Sequence, residues 1–237
     1  MVFIKAIGSD GVERPRLRRI AVVGAGFSGL AVTIALLRRL HCPFEIWMID
    51  AADAPAAFAE GPAGEALTAE PARDLSLLPE RPDDFAEWLR RTLLADGAVR
   101  ALNGPGSLHV RLSLFRTYVM ARFGEAIGAR RDVGMRMLRG DVARIDPLAH
   151  GGRVVLCDGE MADFDHVFIA AGAARPCDDG QSLAADEGGR LFAGGERLSG
   201  LSVVGAAVSG FPDMVRQAYR AALEVRPRGV ADARRPA

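Results

Sequence analysis

Residues 18–50 read RRIAVVGAGFSGLAVTIALLRRLHCPFEIWMID, and this stretch decides the fold. The apolar run at 20–23 predicts a strand that is buried on both faces. The glycine-rich turn at 24–29 follows it and opens a helix that continues to about residue 40. A second apolar strand at 44–49 ends at Asp50. This order of strand, turn, helix and strand predicts a parallel β-α-β unit.

The turn has the pattern Gly-x-Gly-x-x-Gly, which is typical of dinucleotide binding when a strand precedes it and a helix follows. Gly24 permits the tight turn, Gly26 lets the backbone approach a pyrophosphate, and Gly29 lets helix and strand pack closely. The first N–H groups of the helix attract phosphate. The alternative is a tight turn without a ligand. The candidate cofactor residues in the turn are Gly24, Ala25, Gly26, Phe27, Ser28 and Gly29.

Asp50 is the acidic partner of the turn. It lies 21 residues after Gly29, close to the spacing of about 20 that is expected in this motif. Its carboxylate can accept hydrogen bonds from ribose hydroxyls, and its charge disfavours a 2′-phosphate at the same position. The unit therefore predicts FAD or NAD rather than NADP.

Composition excludes several other classes. The 237 residues are 49% apolar and 25% charged, which is typical of a globular protein. The 30 basic and 30 acidic residues balance, which disfavours a dedicated nucleic-acid binder or a polybasic membrane-surface protein. The three cysteines are far apart and predict no disulfide framework, so we expect a cytoplasmic setting. The uncharged run at 20–37 contains three glycines, and we do not interpret it as a membrane span.

The remainder of the chain predicts further helices and strands. Residues 51–82 are rich in Ala, Pro and Gly and predict a long loop. Residues 178–199 are polar and glycine-rich and predict a second loop. The predicted helices are 84–94, 112–127 and 211–224, and the predicted strands are 135–145, 153–157, 166–171 and 201–204, with a hairpin turn at Asp158-Gly159.

Two late segments resemble motifs of the FAD domain of glutathione-reductase-type flavoproteins. Residues 166–172, HVFIAAG, are similar to the strand that ends in a small residue and Gly beside the cofactor. Residues 200–207, GLSVVGAA, are similar to the late motif, although Ala206 stands where that family has Asp. The resemblance implies FAD as the cofactor. It adds five candidate cofactor residues, Ala171, Gly172, Gly205, Ala206 and, in the strand predicted at 135–145, Val142.

A second, closer resemblance covers most of the chain and is clearest in the long loop and the helix after it. Residues 71–79, PARDLSLLP, with RPDDF at 81–85 and Trp88-Leu89, are similar to a run in the FAD/NAD(P)-binding proteins related to bacterial N-hydroxylating monooxygenases. This resemblance implies Arg73 as a charged residue near the flavin. The alternative is that Arg73 pairs at the surface with Asp74 or Glu70.

Together these features predict an α/β protein with a Rossmann-like FAD-binding domain, a parallel sheet flanked by helices and a β-meander. We expect an N-terminal extension at 1–17, one FAD-binding domain at 18–225 with a helical insertion at about 51–130, and a disordered tail at 226–237. No second strand-GxGxxG-helix unit is present in the sequence, so we expect no separate NAD(P)H domain. None of the four histidines has metal-ligand spacing.

The expected function is that of an FAD-dependent oxidoreductase of monooxygenase type that acts on a small organic molecule. A partner protein, the substrate or a transiently bound nicotinamide would reduce the flavin, and catalytic residues are not assigned. Two alternatives stay open. One is a redox-neutral cyclase or isomerase that uses FAD as a scaffold. The other is a non-catalytic flavoprotein subunit that works by binding a partner.

Overall fold

A computed structural model describes residues 17–51, 65–95, 108–170, 183–205 and 208–225. These residues contain four α-helices and ten strands. The helices are α1 (Phe27–Arg39), α2 (Asp84–Ala95), α3 (Leu112–Gly128) and α4 (Phe211–Leu223). The strands are β1 (Arg18–Val23), β2 (Phe44–Asp50), β3 (Val133–Arg139), β4 (Val142–Pro147), β5 (Gly152–Leu156), β6 (Met161–Phe164), β7 (His166–Ile169), β8 (Leu183–Ala185), β9 (Arg190–Ala193) and β10 (Glu196–Val203).

Seven strands form the central sheet in the order β3-β2-β1-β7-β10-β9-β8. The first five run parallel to one another, and β9 is antiparallel to both of its neighbours. The order changes direction at β1, because β2 lies on one side of it and β7 on the other. A crevice opens beyond the carboxyl ends of the strands at such a switch point, and ligands of open α/β sheets bind there.

Alternate side chains of the sheet face two different layers. Ile20, Val22 and Phe168 belong to the cluster that packs against the helices, and we call that side the helix face. Ala21 and Val167 belong to the cluster that packs against strands β4–β6, and we call that side the meander face. The two layers explain why β1 is apolar at every position from Ile20 to Val23. The uncharged run at 20–37 is β1, the turn and α1, whose residues 29–37 are all buried.

Strands β4, β5 and β6 form the antiparallel meander that the sequence predicts. Gly159, at a φ of +89°, makes the turn between β5 and β6 at the predicted Asp158-Gly159 hairpin. The fold is the mixed α/β architecture expected from the sequence, with a mostly parallel sheet between helices and a meander.

Two predictions of strand content were wrong. The strand expected at 135–145 is divided between β3 in the central sheet and β4 in the meander, because the chain leaves the sheet at Gly140 and Asp141. A Cβ on Gly140 would lie 2.8 Å from Leu156 Cδ1, so glycine permits this tight crossing. The loop expected at 178–199 contains β8, β9 and half of β10. The strands β8 and β9 are too short to show a periodic pattern.

Helices α2 and α3 lie in the predicted insertion and meet at a buried polar cluster. The Asp84 carboxylate, whose side chain is fully buried, accepts hydrogen bonds from Tyr118 Oη at 2.9 Å and from Arg122 Nε at 2.6 Å. Burial raises the pKa of the Tyr118 phenol, so its proton stays on the oxygen and can be donated to Asp84. Within the described ranges, each helix is too short or too polar to cross a lipid bilayer.

Candidate dinucleotide-binding site

The glycine turn has the backbone geometry that its sequence predicts. Gly24 adopts a φ of +98°, a conformation that side chains with a Cβ rarely adopt. A Cβ on Gly29 would lie 1.9 Å from the carbonyl oxygen of Gly24 and 3.4 Å from Val22 Cγ1. The third glycine therefore allows α1 to start directly against the end of β1.

Two hydrogen bonds join the turn to the end of β2. The Gly24 N–H donates to the carbonyl of Ile49 at 2.8 Å. The Ala25 N–H donates to Asp50 Oδ2 at 2.6 Å. The predicted acidic partner thus lies at the turn, where its carboxylate also orients the turn's own backbone.

The first turn of α1 has the properties of an anion site. Gly26 is the N-cap residue, and the first helical hydrogen bond runs from the Leu30 N–H to the Gly26 carbonyl at 2.9 Å. The N–H groups of Ser28 and Gly29 precede that bond and have no acceptor within the helix. They carry the positive end of the helix dipole, and α1 has no acidic residue in its first turn to neutralise it.

Gly205 of the late motif lies next to the glycine turn, on the side of β1 opposite to β2. Gly205 follows β10 at a φ of +87°, and a Cβ there would lie 2.3 Å from Ser28 Oγ. Its N–H donates to Gln217 Oε1 at 2.8 Å. The two motifs, 177 residues apart between Ser28 and Gly205, are therefore in direct contact.

The N-terminus of α4 lies beside that of α1. The Phe27 ring, in the first residue of α1, is 6.4 Å from the ring of Phe211, the first residue of α4. Phe115 of α3 packs between them, at ring-centroid distances of 5.2 Å from Phe27 and 5.0 Å from Phe211. Glu70 caps α4, because its Oε1 accepts the Phe211 N–H at 3.0 Å. Two helix N-termini thus converge on the edge of the sheet where the turn lies.

Sequence reasoning missed Gln217 and the capping contact of Glu70. Gln217 is 98% buried, and it lies among Met214, Ala218 and Ala221 on the apolar stripe of α4. A single polar residue within an apolar stripe was the signal that could have indicated its hydrogen-bonding purpose. Glu70 had no such signal, because its partner is a backbone group far away in the sequence.

Arg73 and Val142 are the remaining candidate cofactor residues that the structure describes. Arg73 lies in a short 3-10 helix (Ala72–Asp74), is exposed, and forms an ion pair with Asp74 at 3.7 Å. Val142 begins β4, two residues after Gly140, whose N–H donates to the Asp50 carbonyl at 2.8 Å. Both remain predictions as cofactor contacts. Three candidates lie outside the described residues, namely Ala171, Gly172 and Ala206.

The run at 71–89, on which the second resemblance depends, has structural partners. The Leu77 N–H donates to Tyr118 Oη at 3.1 Å, and the Ser76 hydroxyl donates to the Arg81 carbonyl at 2.7 Å. Phe85 is buried and stacks against Trp88 at 6.0 Å. These contacts attach the run at 71–89 to α3, and Glu70, which directly precedes this run, caps α4.

The residues that are present fit a bound dinucleotide. The turn has no room for a Cβ at Gly29, so α1 begins close against β1. The helix offers first-turn N–H groups without a neutralising acid. Asp50 lies next to Ala25, within reach of a ribose at the same turn. Fold and site together define a dinucleotide-binding α/β protein.

The chain belongs to the FAD-NAD(P)-binding family, whose pattern matches residues 21–174. The family assignment covers β1, the glycine turn, the insertion, the meander and β7. It confirms the predicted FAD/NAD(P)-binding class and a flavin or nicotinamide nucleotide as the cofactor. No curated protein sequence matches this chain.

Several solved structures are similar to this chain. The peptidyl tryptophan dihydroxylase QhpG has 19% identity over 71% of this chain and 35% of its own, with a TM-score of 0.39. The tetracycline destructase Tet(51) has 18% identity over 73% of this chain and 45% of its own, with a TM-score of 0.42. The p-nitrophenol 4-monooxygenase PnpA from Pseudomonas putida DLL-E4 has 14% identity over 72% and 45%, with a TM-score of 0.42. The chain thus spans between a third and a half of their length.

Proposed function

We propose that this chain binds FAD at the glycine turn and is an oxidoreductase of monooxygenase type that acts on a small organic molecule. The observation that supports FAD most directly is the contact of Gly205 with Ser28, because it brings the late flavoprotein-like motif to the phosphate-binding turn. The meander that follows β3 supports the same cofactor, since the resemblance to FAD domains includes it.

Each part of the site has a defined task in this proposal. The Ser28 and Gly29 N–H groups bind the pyrophosphate, and Asp50 accepts from the adenosine ribose. Gly205, which contacts Ser28, would meet the more distant half of the cofactor. When bound, FAD supplies electron transfer and oxygen chemistry, and the protein supplies orientation and excludes water.

Reducing equivalents come from outside the glycine turn in this proposal. The 237 residues contain one strand-GxGxxG-helix unit, and the proposal assigns that unit to FAD. A flavin-reducing partner protein or the substrate itself would then deliver the electrons. Arg73 is exposed, and it is the charged side chain that this proposal assigns to the flavin end.

A visible absorption spectrum before and after addition of FAD tests the cofactor. We expect a two-band flavin spectrum that survives desalting. The Asp50→Ala variant should retain less FAD, because the ribose loses its acceptor and the turn loses the hydrogen bond from Ala25. Asp132→Ala, an exposed aspartate at a different edge of the protein, is the matched control and should retain FAD like the parent. A protein that stays colourless with FAD but binds NAD would contradict the proposal.

A second candidate is a redox-neutral reaction on an FAD scaffold. The observation that favours it is Ala206, which stands where the resembling flavoproteins have Asp. Turnover with oxidised FAD, without oxygen and without a reductant, would support this candidate. A strict requirement for a reductant would exclude it and support the monooxygenase-type proposal.

A further inference from the structure

Gln217 is a buried polar residue that no step of the proposed function uses. Its side chain is 2% exposed, and its buried neighbours on α4 include Met214, Val215, Ala218 and Ala221. A buried amide costs stability unless its polar atoms are hydrogen-bonded. The amide therefore occupies a position where an apolar side chain would fit the pattern of the helix.

The partner of this amide is a backbone group just beyond the end of β10. Gln217 Oε1 accepts the Gly205 N–H at 2.8 Å. The last pair of β10 with β7 is Val203 with Ile169, and the Val204 N–H still donates to the Ile169 carbonyl at 2.9 Å. Gly205 follows, and its φ of +87° is not a strand conformation. Gln217 thus supplies the acceptor for the first residue that the sheet no longer holds.

Gly205 is also the residue that touches the phosphate-binding turn. A Cβ on Gly205 would lie 2.3 Å from Ser28 Oγ and 3.2 Å from Ser28 Cβ. Ser28 is the second residue of α1, and its N–H is one of the two that have no acceptor within the helix. Because no further atom fits between the two residues, a displacement of Gly205 would move Ser28 or leave a gap at the start of α1.

Helix α4 is fixed on both sides of Gln217. At its start, the Phe211 N–H donates to Glu70 Oε1 at 3.0 Å. Two residues after Gln217, the Tyr219 ring lies 5.4 Å from the guanidinium carbon of Arg39, the last residue of α1. The backbone that carries Gln217 is therefore held in place, so its amide can fix the position of a loop.

The amide brings no charge to this position. A Cβ on Gly189 would lie 3.4 Å from Gln217 Cγ, so the turn between β8 and β9 packs against the side chain. None of the charged residues on the surrounding elements is buried. They are Arg38, Arg39, Asp50, Glu70, Asp186, Glu187, Arg190, Asp213, Arg216 and Arg220. A carboxylate in place of the amide would therefore add a buried negative charge near the start of α1.

We propose that Gln217 is a positioning residue of the dinucleotide site. Its amide holds the Gly205 backbone against Ser28, and because it is neutral it adds no negative charge near the α1 N–H groups that bind phosphate. This inference rests on the proposed function, in which those N–H groups bind FAD. Gln217 acts through Gly205 and Ser28 rather than by contact with the cofactor.

Two substitutions of similar size separate the hydrogen bond from the charge. Gln217→Met removes the acceptor, whereas Gln217→Glu keeps it and adds a charge only when the carboxyl is ionised. Hydrogen exchange of the Gly205 amide, followed by NMR without added cofactor, reports the hydrogen bond, and a titration with FAD reports binding. In Gln217→Met we expect the exchange rate and the FAD dissociation constant each to rise about fivefold, because one net hydrogen bond contributes about 1 kcal/mol.

Gln217→Glu should give a pH profile that a packing role alone would not. Burial raises the pKa of a carboxyl group, so we expect this one to be neutral in mild acid and ionised in mild alkali. At about pH 5.5 its FAD dissociation constant should match that of the parent at the same pH, because the neutral carboxyl still accepts from Gly205. At about pH 8.5 its FAD dissociation constant should be about tenfold higher than that of the parent, because the charge repels phosphate.

Val215→Ala is the matched control on the same helix. Val215 is 2% exposed, like Gln217, and its side chain belongs to the apolar core rather than to the Gly205 contact. Its truncation leaves a void and should lower the unfolding temperature, as Gln217→Met does. We expect the FAD dissociation constant of Val215→Ala to equal that of the parent. Circular dichroism establishes that each variant is folded.

Several results would overturn the inference. One is a folded Gln217→Met protein that exchanges the Gly205 amide faster but binds FAD like the parent. Another is equal weakening of FAD binding in Val215→Ala, and a third is a Gln217→Glu affinity that keeps a constant ratio to the parent at both pH values. If Gln217→Met does not fold, the pH profile of Gln217→Glu decides.

Failure of the proposed function would look different. The parent protein itself would then bind no FAD, whatever residue stands at position 217. The same variants titrated with NAD would in that case decide whether Gln217 positions the turn.

Discussion

On the helix face of the central sheet, Phe168 is fully buried under packed helices, whereas on the meander face Phe164 borders a cavity of about 580 Å³. The helix face also contains the ring cluster around Phe27, Phe85 and Phe115. Close packing on that side holds the glycine turn and the N-termini of α1 and α4 in one arrangement. The meander face, which borders the cavity, has room for a ligand.

This difference has a physical cause. Helices pack on a sheet through long side chains that interdigitate across the whole surface. A three-stranded meander is narrower than a seven-stranded sheet and covers only part of its surface. The space that results lies between Trp47 and β5. Stability should therefore respond more strongly to substitutions on the helix face. Three pairs of variants test that comparison, and a pH profile adds a fourth test on the helix face alone.

Truncation of one phenylalanine on each face should give the largest contrast. Phe168→Ala should lower the free energy of unfolding by about 4 kcal/mol, because it leaves a void in a fully packed layer. Phe164→Ala should cost about 3 kcal/mol, the low end for such a truncation, since its ring already borders open space. Chemical denaturation of both variants measures the difference. Equal losses would contradict the looser packing of the meander face.

Ion pairs on the two faces should differ in the same direction. Asp84→Asn should cost about 3 kcal/mol, because it leaves Arg122, whose side chain is 10% exposed, without its buried counter-charge. Asp163→Asn breaks a pair with Arg153 in which both side chains are more than 40% exposed, and it should cost less than about 1 kcal/mol. A large loss in Asp163→Asn would show that the exposed pair supports the cavity wall. The same unfolding measurement applies to both.

Glycine substitutions should cost more where the neighbour is rigid backbone than where the neighbours are flexible side chains. Gly29→Ala places a Cβ 1.9 Å from a backbone oxygen and should cost about 2–3 kcal/mol. Gly152→Ala on the meander face meets the ends of the Leu201, Val167 and Ile145 side chains at 2.8–3.3 Å and should cost about 1 kcal/mol. Thermal unfolding of the two variants checks the order. A smaller loss for Gly29→Ala would mean that α1 can move away from β1.

The pH dependence of stability should report the packing over His166 on the helix face. Burial lowers the pKa of His166 to about 3 from an ordinary value of 6.5, and the positive charge of Arg18 adds to the effect. The unfolded chain therefore takes up a proton below about pH 6.5 and the folded chain does not. The contribution of neutral His166 to the free energy of unfolding should be fully present above that pH. The free energy of unfolding should fall by about 2 kcal/mol between pH 7 and pH 5.

His166→Gln removes this titration while it keeps a polar group for Ser202, whose hydroxyl oxygen lies 3.0 Å from His166 Nε2. The variant should lose less stability than the parent over the same pH range. Urea unfolding at several pH values measures both proteins. Identical profiles would show that His166 does not account for the acid sensitivity.

Much of the first half of the site could be predicted from the sequence because its parts are local. Gly24, Gly26 and Gly29 are separated by a few residues, so the strand, turn and helix that they join follow from one short segment. Asp50 could be predicted because it ends the next strand, and parallel neighbours end at the same edge of the sheet. The meander was recognisable from its hairpin turn at Gly159.

The parts that escaped prediction depend on distant contacts or on weak local patterns. Strands β8 and β9 are three and four residues long, which is too short for a periodic signal. The break at Gly140 is set by Leu156 across the meander, and the position of Glu70 is set by the Phe211 N–H. The residues of each pair are far apart in the sequence, so no local sequence pattern predicts these contacts.

The sequence by itself determined the class of this protein, because the glycine turn and the apolar runs around it leave few other ways to bury β1 and α1. Tertiary structure alone decided that Gly205 meets Ser28, that two helix N-termini converge, and that Trp47 lines a cavity. The physical reason is that backbone conformation and burial patterns depend on neighbouring residues in the chain. Convergence of distant loops and the space left between two sheets depend on how complete layers pack.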